Sequence, residues 1–275
     1  MDSLRFDRQG APLFDEREEN ELKESFFDAV CLMRQLRRYC PWDAAQSPET
    51  LKRYVVEEAY EVVQTIDERD WGALKAELGD FVFQVLFQAE IQTEQGRFSV
   101  DDVLRELVAK MVRRHPHVFG EEQGRNLDAI KAHWHQIKRE ERGQHASLFA
   151  DFPRSLPALQ SAYKIGKKTE GVAFDWATPH EVVLKIHEEL DELNQALAQS
   201  DRSAIEEEMG DFLFTMAQLC RKMGMEPEDT LRQANRKFIR RFQHMERLAS
   251  ERGLDFKNLS PDEKERLWDI VKAGS

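Results

Sequence analysis

The sequence has few of the residues that interrupt helices or cross-link a chain. Its 275 residues include 13 glycines, 9 prolines and 3 cysteines. So few chain-breaking residues, together with abundant Glu, Lys and Leu, favour long helices. Cys31, Cys40 and Cys220 are widely spaced and form no CxxC pair. They fit a reducing, cytoplasmic setting better than a disulfide framework.

Long apolar runs and an excess of positive charge are also missing. No stretch approaches the roughly 20 apolar residues of a membrane helix, and the charged N-terminal segment lacks the apolar region of a signal peptide. The 40 Lys and Arg residues face 52 Asp and Glu residues, a net charge of −12. Such a charge disfavours non-specific binding to nucleic acid or to an anionic membrane. We expect a cytoplasmic protein that binds neither nucleic acid nor membrane. The negative net charge does not prevent the binding of a small polyanion that carries its own metal ions.

Carboxylates, by contrast, are abundant and follow a pattern that occurs twice. Corresponding acids lie 131 residues apart, as from Glu57 to Glu188. The two sets are Glu57, Glu58, Glu61, Glu77 and Asp80, and Glu188, Glu189, Glu192, Glu208 and Asp211. A basic cluster follows each set in the same order. The repetition indicates a tandem duplication.

The duplication predicts two all-α helical-bundle domains in tandem. In the second copy the apolar side chains of 186–197 repeat at helical spacing, and a second stripe follows the polar break at 198–204. Breaks this short join antiparallel helices, and no β pattern is evident. We expect an N-terminal extension at 1–24, domains at 25–145 and 158–275, and a proline-containing linker at 146–157.

The acids of the second copy are symmetric about residue 200. Glu192 and Glu208 lie eight residues from it, and Glu189 and Asp211 lie eleven. In an antiparallel hairpin, equal distances from the turn mean equal heights, so the four carboxylates form two facing pairs. In the first copy the same symmetry, about residue 69, pairs Glu61 with Glu77 and Glu58 with Asp80.

Four carboxylates in such a place need a cation. Two unit charges about 4 Å apart repel by roughly 4 kcal/mol at an effective dielectric near 20. All-oxygen ligands select a hard ion, so we expect Mg²⁺, with Mn²⁺ as a substitute. A lone EExxE motif is more often a solvated acidic face, but the matched ExxD partner and the duplication favour a metal. Di-iron and zinc-hydrolase sites lack support because no acid has a His at i+3 and no HExxH motif occurs.

Each copy also carries a basic cluster at i, i+3 and i+4, followed by a tryptophan. The clusters are Lys110, Arg113 and Arg114, and Lys237, Arg240 and Arg241. Alone, such a cluster is ordinarily a surface salt-bridge partner. Beside a metal site it is better interpreted as a phosphate-binding face. Trp134 and Trp268 could be core residues or platforms for a nucleobase.

The copies differ one helical turn before the acids. Lys185 precedes Glu189 by four residues, where it can reach a phosphate or balance the carboxylates. Tyr54 occupies the equivalent position before Glu58 and carries no charge at neutral pH. We therefore expect the two copies to differ in catalysis.

These residues resemble the MazG nucleoside triphosphate pyrophosphohydrolases, whose signature is EExxE followed by ExxD. The resemblance runs from CPWD (40–43) to WDIVK (268–272) and includes RRHPHVF (113–119). It implies all-α domains, a homodimer and Mg²⁺-dependent hydrolysis of nucleoside triphosphates to the monophosphate and pyrophosphate. It also implies a role in cleaning the nucleotide pool, with the main activity in the C-terminal copy.

The same resemblance assigns roles to individual residues. The metal ligands would be Glu189, Glu192, Glu208 and Asp211, with a weaker second site at Glu58, Glu61, Glu77 and Asp80. The nucleotide would be lined by Lys185, Glu188, Lys237, Arg240, Arg241 and Trp268, with first-copy counterparts Lys110, Arg113, Arg114 and Trp134. Apart from the resemblance, the chemistry of these parts predicts that a free carboxylate such as Glu188 would position or deprotonate the attacking water, and Lys185 is the second predicted catalytic residue.

Two other classes of function stay open. Phosphoribosyl-ATP pyrophosphohydrolase has a related helical fold, but it is usually a much shorter single domain, so the duplication argues against it. A non-catalytic helical nucleotide-binding or assembly regulator would share these helices and acids. Pyrophosphate release from a panel of nucleoside triphosphates would distinguish these classes.

Overall fold

The structure is a computed structural model that describes residues 2–5, 11–120, 126–127, 129–130, 133–134, 136–137, 147–150 and 152–274. Within these residues there is no β-strand, and most of them are helical. The chain divides into two compact units, Met1–Gln144 and His145–Ser275. The prediction of tandem all-α domains is therefore confirmed. None of the described helices could span a lipid bilayer.

The predicted boundaries at residues 24, 145 and 157 stay predictions. The first described α-helix begins at Glu16 and crosses the predicted end of the N-terminal extension. Residues 145, 146 and 151, which belong to the predicted domain end and linker, lie outside the described residues.

A long helical hairpin forms the centre of the first unit. Its described helices are α1 (Glu16–Tyr39), α2 (Pro41–Ala44), α3 (Pro48–Glu68), α4 (Trp71–Glu94), α5 (Val100–Arg114) and α6 (Pro116–Phe119), after a 3-10 turn at Asp2–Arg5. Helices α3 and α4 pack along each other as the hairpin, and α1 packs on α4. Met33, Leu51, Leu86, Phe87 and Ile91 form a buried apolar cluster in this unit.

The second unit repeats the hairpin. Its described helices are α7 (Ala158–Glu170), α8 (Pro179–Gln199), α9 (Arg202–Lys222), α10 (Pro227–Glu251) and α11 (Pro261–Ala273), with a 3-10 turn at Phe256–Asn258. Here α8 and α9 form the hairpin, α7 packs on α9, and α11 packs on α10. Met245, Ala249, Leu267 and Val271 make the core between α10 and α11.

Both hairpins use the same turn. Arg69 and Ser200 adopt the left-handed conformation, with φ of 57° and 55°, which is uncommon for residues other than glycine. The next residue, Asp70 or Asp201, caps the following helix, because its carboxylate accepts hydrogen bonds from the backbone N–H groups two and three residues further on. Those N–H groups would otherwise lack a partner. The same turn sets the same register in both hairpins.

The second hairpin buries only part of its apolar stripes. In α8, Leu193 and Ala196 are buried, whereas Leu190 is 40% exposed and Leu197 is 52% exposed. In α9, Leu213 is 52% exposed. A stripe this wide cannot be covered by a single neighbouring helix, so the hairpin keeps an exposed apolar face.

A buried polar cluster joins α7 and the segment before α8 to α9. The Arg221 side chain, 1% exposed, donates from Nε to Gln218 Oε1 at 2.7 Å and from Nη1 to Asp175 Oδ2 at 3.1 Å. Gln218 Nε2 donates to the carbonyl oxygen of Ala162 at 2.7 Å. Burial alone would raise the pKa of Asp175, but hydrogen bonds from Arg221 and Lys222 lower it below its usual value. Replacing either Arg221 or Asp175 would leave the other with a buried charge that has lost its partner.

Gly166 of α7 lies against this cluster, and a side chain there should be costly. A Cβ would stand 2.0 Å from Gln218 Oε1 and 2.4 Å from Arg221 Nε. Both groups are buried and hydrogen-bonded, so they cannot move without breaking those bonds. We expect Gly166→Ala to lower the free energy of unfolding by about 1–3 kcal/mol, as measured by urea unfolding.

Gly210→Ala is the matched control, because its Cβ would meet no described atom within 4 Å. The free energy of unfolding of this variant should be unchanged or higher by up to about 1 kcal/mol, because alanine is the better helix former. Equal stability of the two variants would contradict the role given to the close contact at Gly166.

Candidate metal and nucleotide site

The α8–α9 hairpin gathers three carboxylates. Ligand oxygens of Glu189, Glu208 and Asp211 all lie within 4.8 Å of one another. Glu189 is buried, Glu208 is half-buried and Asp211 is exposed, so the group extends from the interior to the surface. Three carboxylate oxygens without a nitrogen or sulfur donor form a set that could hold a hard divalent cation.

The α3–α4 hairpin contains the matching group. Glu58, Glu77 and Asp80 also offer oxygens within 4.8 Å of one another. Two of these residues are half-buried, and Asp80 is exposed. The repeated register of the turn thus produces the same acidic geometry in each unit.

The fourth predicted ligand of each set lies outside these groups of three. Glu61 and Glu192 are both exposed. They are nevertheless close to the acid on the opposite helix. Burial is the largest cause of the raised pKa of Glu77 and Glu208. The second is charge repulsion, from Glu61 on Glu77 and from Glu192 on Glu208. The structure therefore places both residues at the edge of the carboxylate groups, and their role as ligands stays a prediction.

The carboxylates resist ionisation. Burial, followed by repulsion from neighbouring acids, raises the pKa of Glu58, Glu77 and Glu208 above the ordinary value of 4.5. An acid whose pKa is higher in the folded than in the unfolded protein stabilises the fold while it is protonated. This contribution to the free energy of unfolding is complete below the pKa of the unfolded protein and is lost as pH rises through the pKa of the folded protein. At neutral pH these carboxylates therefore oppose folding unless a cation neutralises them.

Lys185 is the cation that the chain itself supplies to the second group. Its Nζ lies 2.8 Å from Glu188 Oε1 and 2.9 Å from Glu189 Oε1. Hydrogen bonds to Glu188 and then Glu189 raise the pKa of Lys185, so this lysine stays charged. The Glu189 side chain is 5% exposed, and an unpaired carboxylate would be costly at such a depth. Glu188 remains exposed.

Tyr54 occupies the corresponding place in the first unit, where its partners are aromatic and basic. Its hydroxyl accepts a hydrogen bond from Arg53 Nη2 at 2.6 Å, and the Arg53 guanidinium lies 4.6 Å from its ring centroid. The Trp42 ring meets it edge-on at 6.2 Å. Among the described residues, no basic side chain forms an ion pair with Glu58. The two acidic groups match, but their resident counter-charge does not.

The predicted phosphate-binding residues of the second unit lie together on α10. Lys237, Arg240 and Arg241 line an open depression of about 580 Å³. The Arg241 guanidinium lies 6.0 Å from the Trp268 ring centroid, and the Phe238 ring lies 5.2 Å from the same centroid. The sequence-predicted site thus forms two groups within this unit, the carboxylates with Lys185 and the basic residues with Trp268.

In the first unit the predicted aromatic partner also lies beside its basic cluster. The Arg114 guanidinium is 5.4 Å from the Trp134 ring centroid. His115 meets the same indole edge-on at 5.0 Å. Lys110 is half-buried, and Arg113 is exposed on the same helix.

Two residues of the depression on α10 were missed by the sequence analysis. His244 and Arg247 line it together with the predicted cluster, and the buried Val271 of α11 completes the lining. A sequence signal for them did exist. They stand seven and ten residues after Lys237, so they continue its helix face.

Comparison with known proteins agrees with this geometry. The family described as MazG nucleotide pyrophosphohydrolase domain matches twice, at residues 46–119 and 177–246. Each match includes one of the carboxylate hairpins, so the family signature coincides with the acidic groups.

Several relatives align over most of the chain. It is 43% identical over 250 residues to the Escherichia coli K12 nucleoside triphosphate pyrophosphohydrolase, an alignment covering 88% of this chain and 95% of that protein. It is 40% identical to the Thermotoga maritima nucleoside triphosphate pyrophosphohydrolase/pyrophosphatase MazG, covering 90% and 96%. It is 36% identical to the Bacillus subtilis uncharacterized protein YabN, covering 93% of this chain and 53% of that protein. With its two family matches, the chain belongs to the MazG nucleotide pyrophosphohydrolase family of hydrolytic enzymes.

Proposed function

We propose that this enzyme hydrolyses nucleoside triphosphates to the monophosphate and pyrophosphate in a reaction that depends on Mg²⁺. The observation that carries the proposal is the group of three carboxylates on the α8–α9 hairpin. The names of the Escherichia coli and Thermotoga maritima relatives support the choice of substrate. The all-oxygen donor set supports Mg²⁺, with Mn²⁺ as its substitute.

The second unit carries the proposed reaction. Glu189, Glu208 and Asp211 would hold the cation, and Glu192 at their edge would complete the set. When bound, Mg²⁺ would supply neutralisation of the phosphate charge and would make a nearby water more acidic. The exposed Glu188 carboxylate positions the attacking water and accepts its proton.

Lys185 has two roles in this proposal. It compensates the buried charge of Glu189 through the 2.9 Å ion pair. Its ammonium group would also donate a hydrogen bond to a phosphate oxygen of the nucleotide. Lys237, Arg240 and Arg241 supply the remaining positive charge for the phosphates, and Trp268 offers an indole face to the base.

The first unit is proposed to bind a cation without contributing most of the turnover. Glu58, Glu77 and Asp80 provide the same oxygen group as the second unit, with Glu61 at its edge. Tyr54 cannot supply the charge that Lys185 supplies. The basic residues Lys110, Arg113 and Arg114 with Trp134 are the proposed nucleotide-binding counterparts.

A homodimer is part of the proposal. Leu190, Leu197 and Leu213 leave an apolar face on the second hairpin, and a second copy of the chain would cover it. We also propose a cytoplasmic enzyme that cleans the nucleotide pool and has neither nucleic acid nor membrane as a partner. The net charge of −12 supports this choice.

The competing candidate is a nucleotide-binding regulator without turnover, and a pyrophosphate-release assay tests it. We expect release from at least one member of a panel of nucleoside triphosphates with Mg²⁺ or Mn²⁺. Excess chelator should abolish the release, because the carboxylates then hold no cation. Full activity in chelator would remove the metal from the proposal, and nucleotide binding without any release would favour the regulator.

Asp211→Ala should separate catalysis from stability. In a chain that also carries Asp80→Ala, we expect turnover to fall by on the order of a hundredfold or more. The cation-free variant should unfold at the same or a higher temperature, because a repelling carboxylate has been removed. Asp191→Ala removes a charge from an exposed position of α8 and serves as control. Normal turnover of the double variant would exclude Asp211 from the site.

The two units should respond unequally to loss of a ligand. We expect Glu192→Ala to remove most of the hydrolysis, by roughly a hundredfold, and Glu61→Ala to remove little, because only the second unit has Lys185. Steady-state rates, together with circular dichroism and the oligomeric mass of each variant, separate a catalytic defect from an assembly defect. The opposite order of effects would reverse the assignment of the working unit.

A further inference from the structure

The basic row on α10 continues beyond the residues assigned to the nucleotide. Along one face of this helix lie Lys237, Arg240, Arg241, His244 and Arg247, and all five line the same depression of about 580 Å³. A volume of this size is typical of small-molecule sites. At 1.5 Å per residue, the ten residues from Lys237 to Arg247 extend the row over about 15 Å.

The row lacks the carboxylates that usually neutralise surface bases. Among the described residues, none of its five members forms an ion pair with Asp or Glu. Arg232, on the same helix, does so with Asp229 at 2.6 Å. Arg241 Nε is buried and has no acceptor among the described groups. In a chain of net charge −12, a row of basic side chains without carboxylate partners indicates a binding site for an anionic ligand.

The two ends of the row differ in chemistry. Near Arg241 stand Trp268 and Phe238, which suit a flat base. At the other end stand His244 and Arg247, and the lining contains only one residue besides the five bases, the aliphatic Val271. That end suits a ligand without an aromatic part.

In the first unit His117 stands at the place of His244, but Arg247 has no basic counterpart. In the alignment that pairs Lys237 with Lys110, Arg247 pairs with Gly120, which has no side chain. Helix α5 ends at Arg114, and Pro116 begins α6, whereas α10 continues to Glu251. The longer row is therefore a property of the unit that also contains Lys185.

We propose that His244 and Arg247 form a subsite for the pyrophosphate group, which holds the leaving group after the phosphoanhydride bond breaks. This assignment rests on the proposed function. The planar Arg247 guanidinium can donate two parallel hydrogen bonds to phosphate oxygens, and His244 donates one more. Both residues bind the product and take no part in bond breaking.

Inorganic pyrophosphate titrated calorimetrically into the full-length protein tests the subsite. The buffer contains chelator, so that a cation at the carboxylates cannot bridge to the anion. We expect Arg247→Ala to weaken binding by about tenfold, the scale of one charge-assisted hydrogen-bonding group. Arg247→Lys should fall between wild type and alanine, because it keeps the charge but loses the fork. His244→Ala should also bind more weakly than wild type.

Arg252→Ala is the matched control, since it removes an exposed arginine just after α10 that does not line the depression. Its affinity for pyrophosphate should stay within about twofold of wild type, because its side chain lies outside the lining of the depression and contributes only a screened charge. Equal losses in Arg252→Ala and Arg247→Ala would overturn the subsite, because the effect would then be one of net charge.

The outcomes separate this inference from the proposed function. Wild-type affinity in Arg247→Ala, in a protein that releases pyrophosphate from nucleoside triphosphates, would overturn the subsite alone. An Arg247-dependent affinity in a protein that hydrolyses no nucleoside triphosphate would support the anion subsite and reject the proposed function.

Discussion

Repulsion between carboxylates on neighbouring helices is the constraint on which the rest of this structure depends. The two hairpin turns, each with a left-handed residue followed by an aspartate cap, hold the acids at matching heights. The folded chain therefore keeps three oxygens within 4.8 Å in each unit, against their tendency to separate. The raised pKa of Glu208 reflects this cost. Each of the two groups could hold a divalent cation, which would offset this cost.

The duplication has left two units with the same acidic group and different surroundings. Lys185 balances the buried Glu189 in the second unit, and Tyr54 in the first packs beside Trp42 and Arg53 instead. The basic helix is also longer in the second unit, because the first is interrupted before Pro116. Both differences add positive charge to the second site. Since phosphoryl transfer is promoted mainly by positioning and charge neutralisation, these differences support the proposal that the second unit is the catalytic one.

The exposed leucines of the second hairpin connect the fold to the proposed assembly. A hairpin of two helices buries one flank of each apolar stripe and leaves the other flank at the surface. The polar cluster around Arg221 fastens α7 to α9 on the covered side. The uncovered side is where a second copy of the chain would reduce apolar exposure.

The helices, their duplication and the grouping of the acids were predictable from the amino-acid sequence alone. Helical periodicity is local, and equal spacing from a short turn is enough to predict which carboxylates face each other. The basic clusters and their tryptophans were also visible as helix-face patterns.

The depth at which each acid is buried and the basic side chain beside it depend on how the helices pack. Glu189 is buried while Glu192 is exposed, although both lie on the same helix three residues apart. The structure also shows that His244 and Arg247 share one depression with the predicted phosphate residues. Burial and the choice of partners depend on how helices pack against one another, and this packing involves residues that are distant in sequence. A local sequence pattern does not show which distant residues will become neighbours.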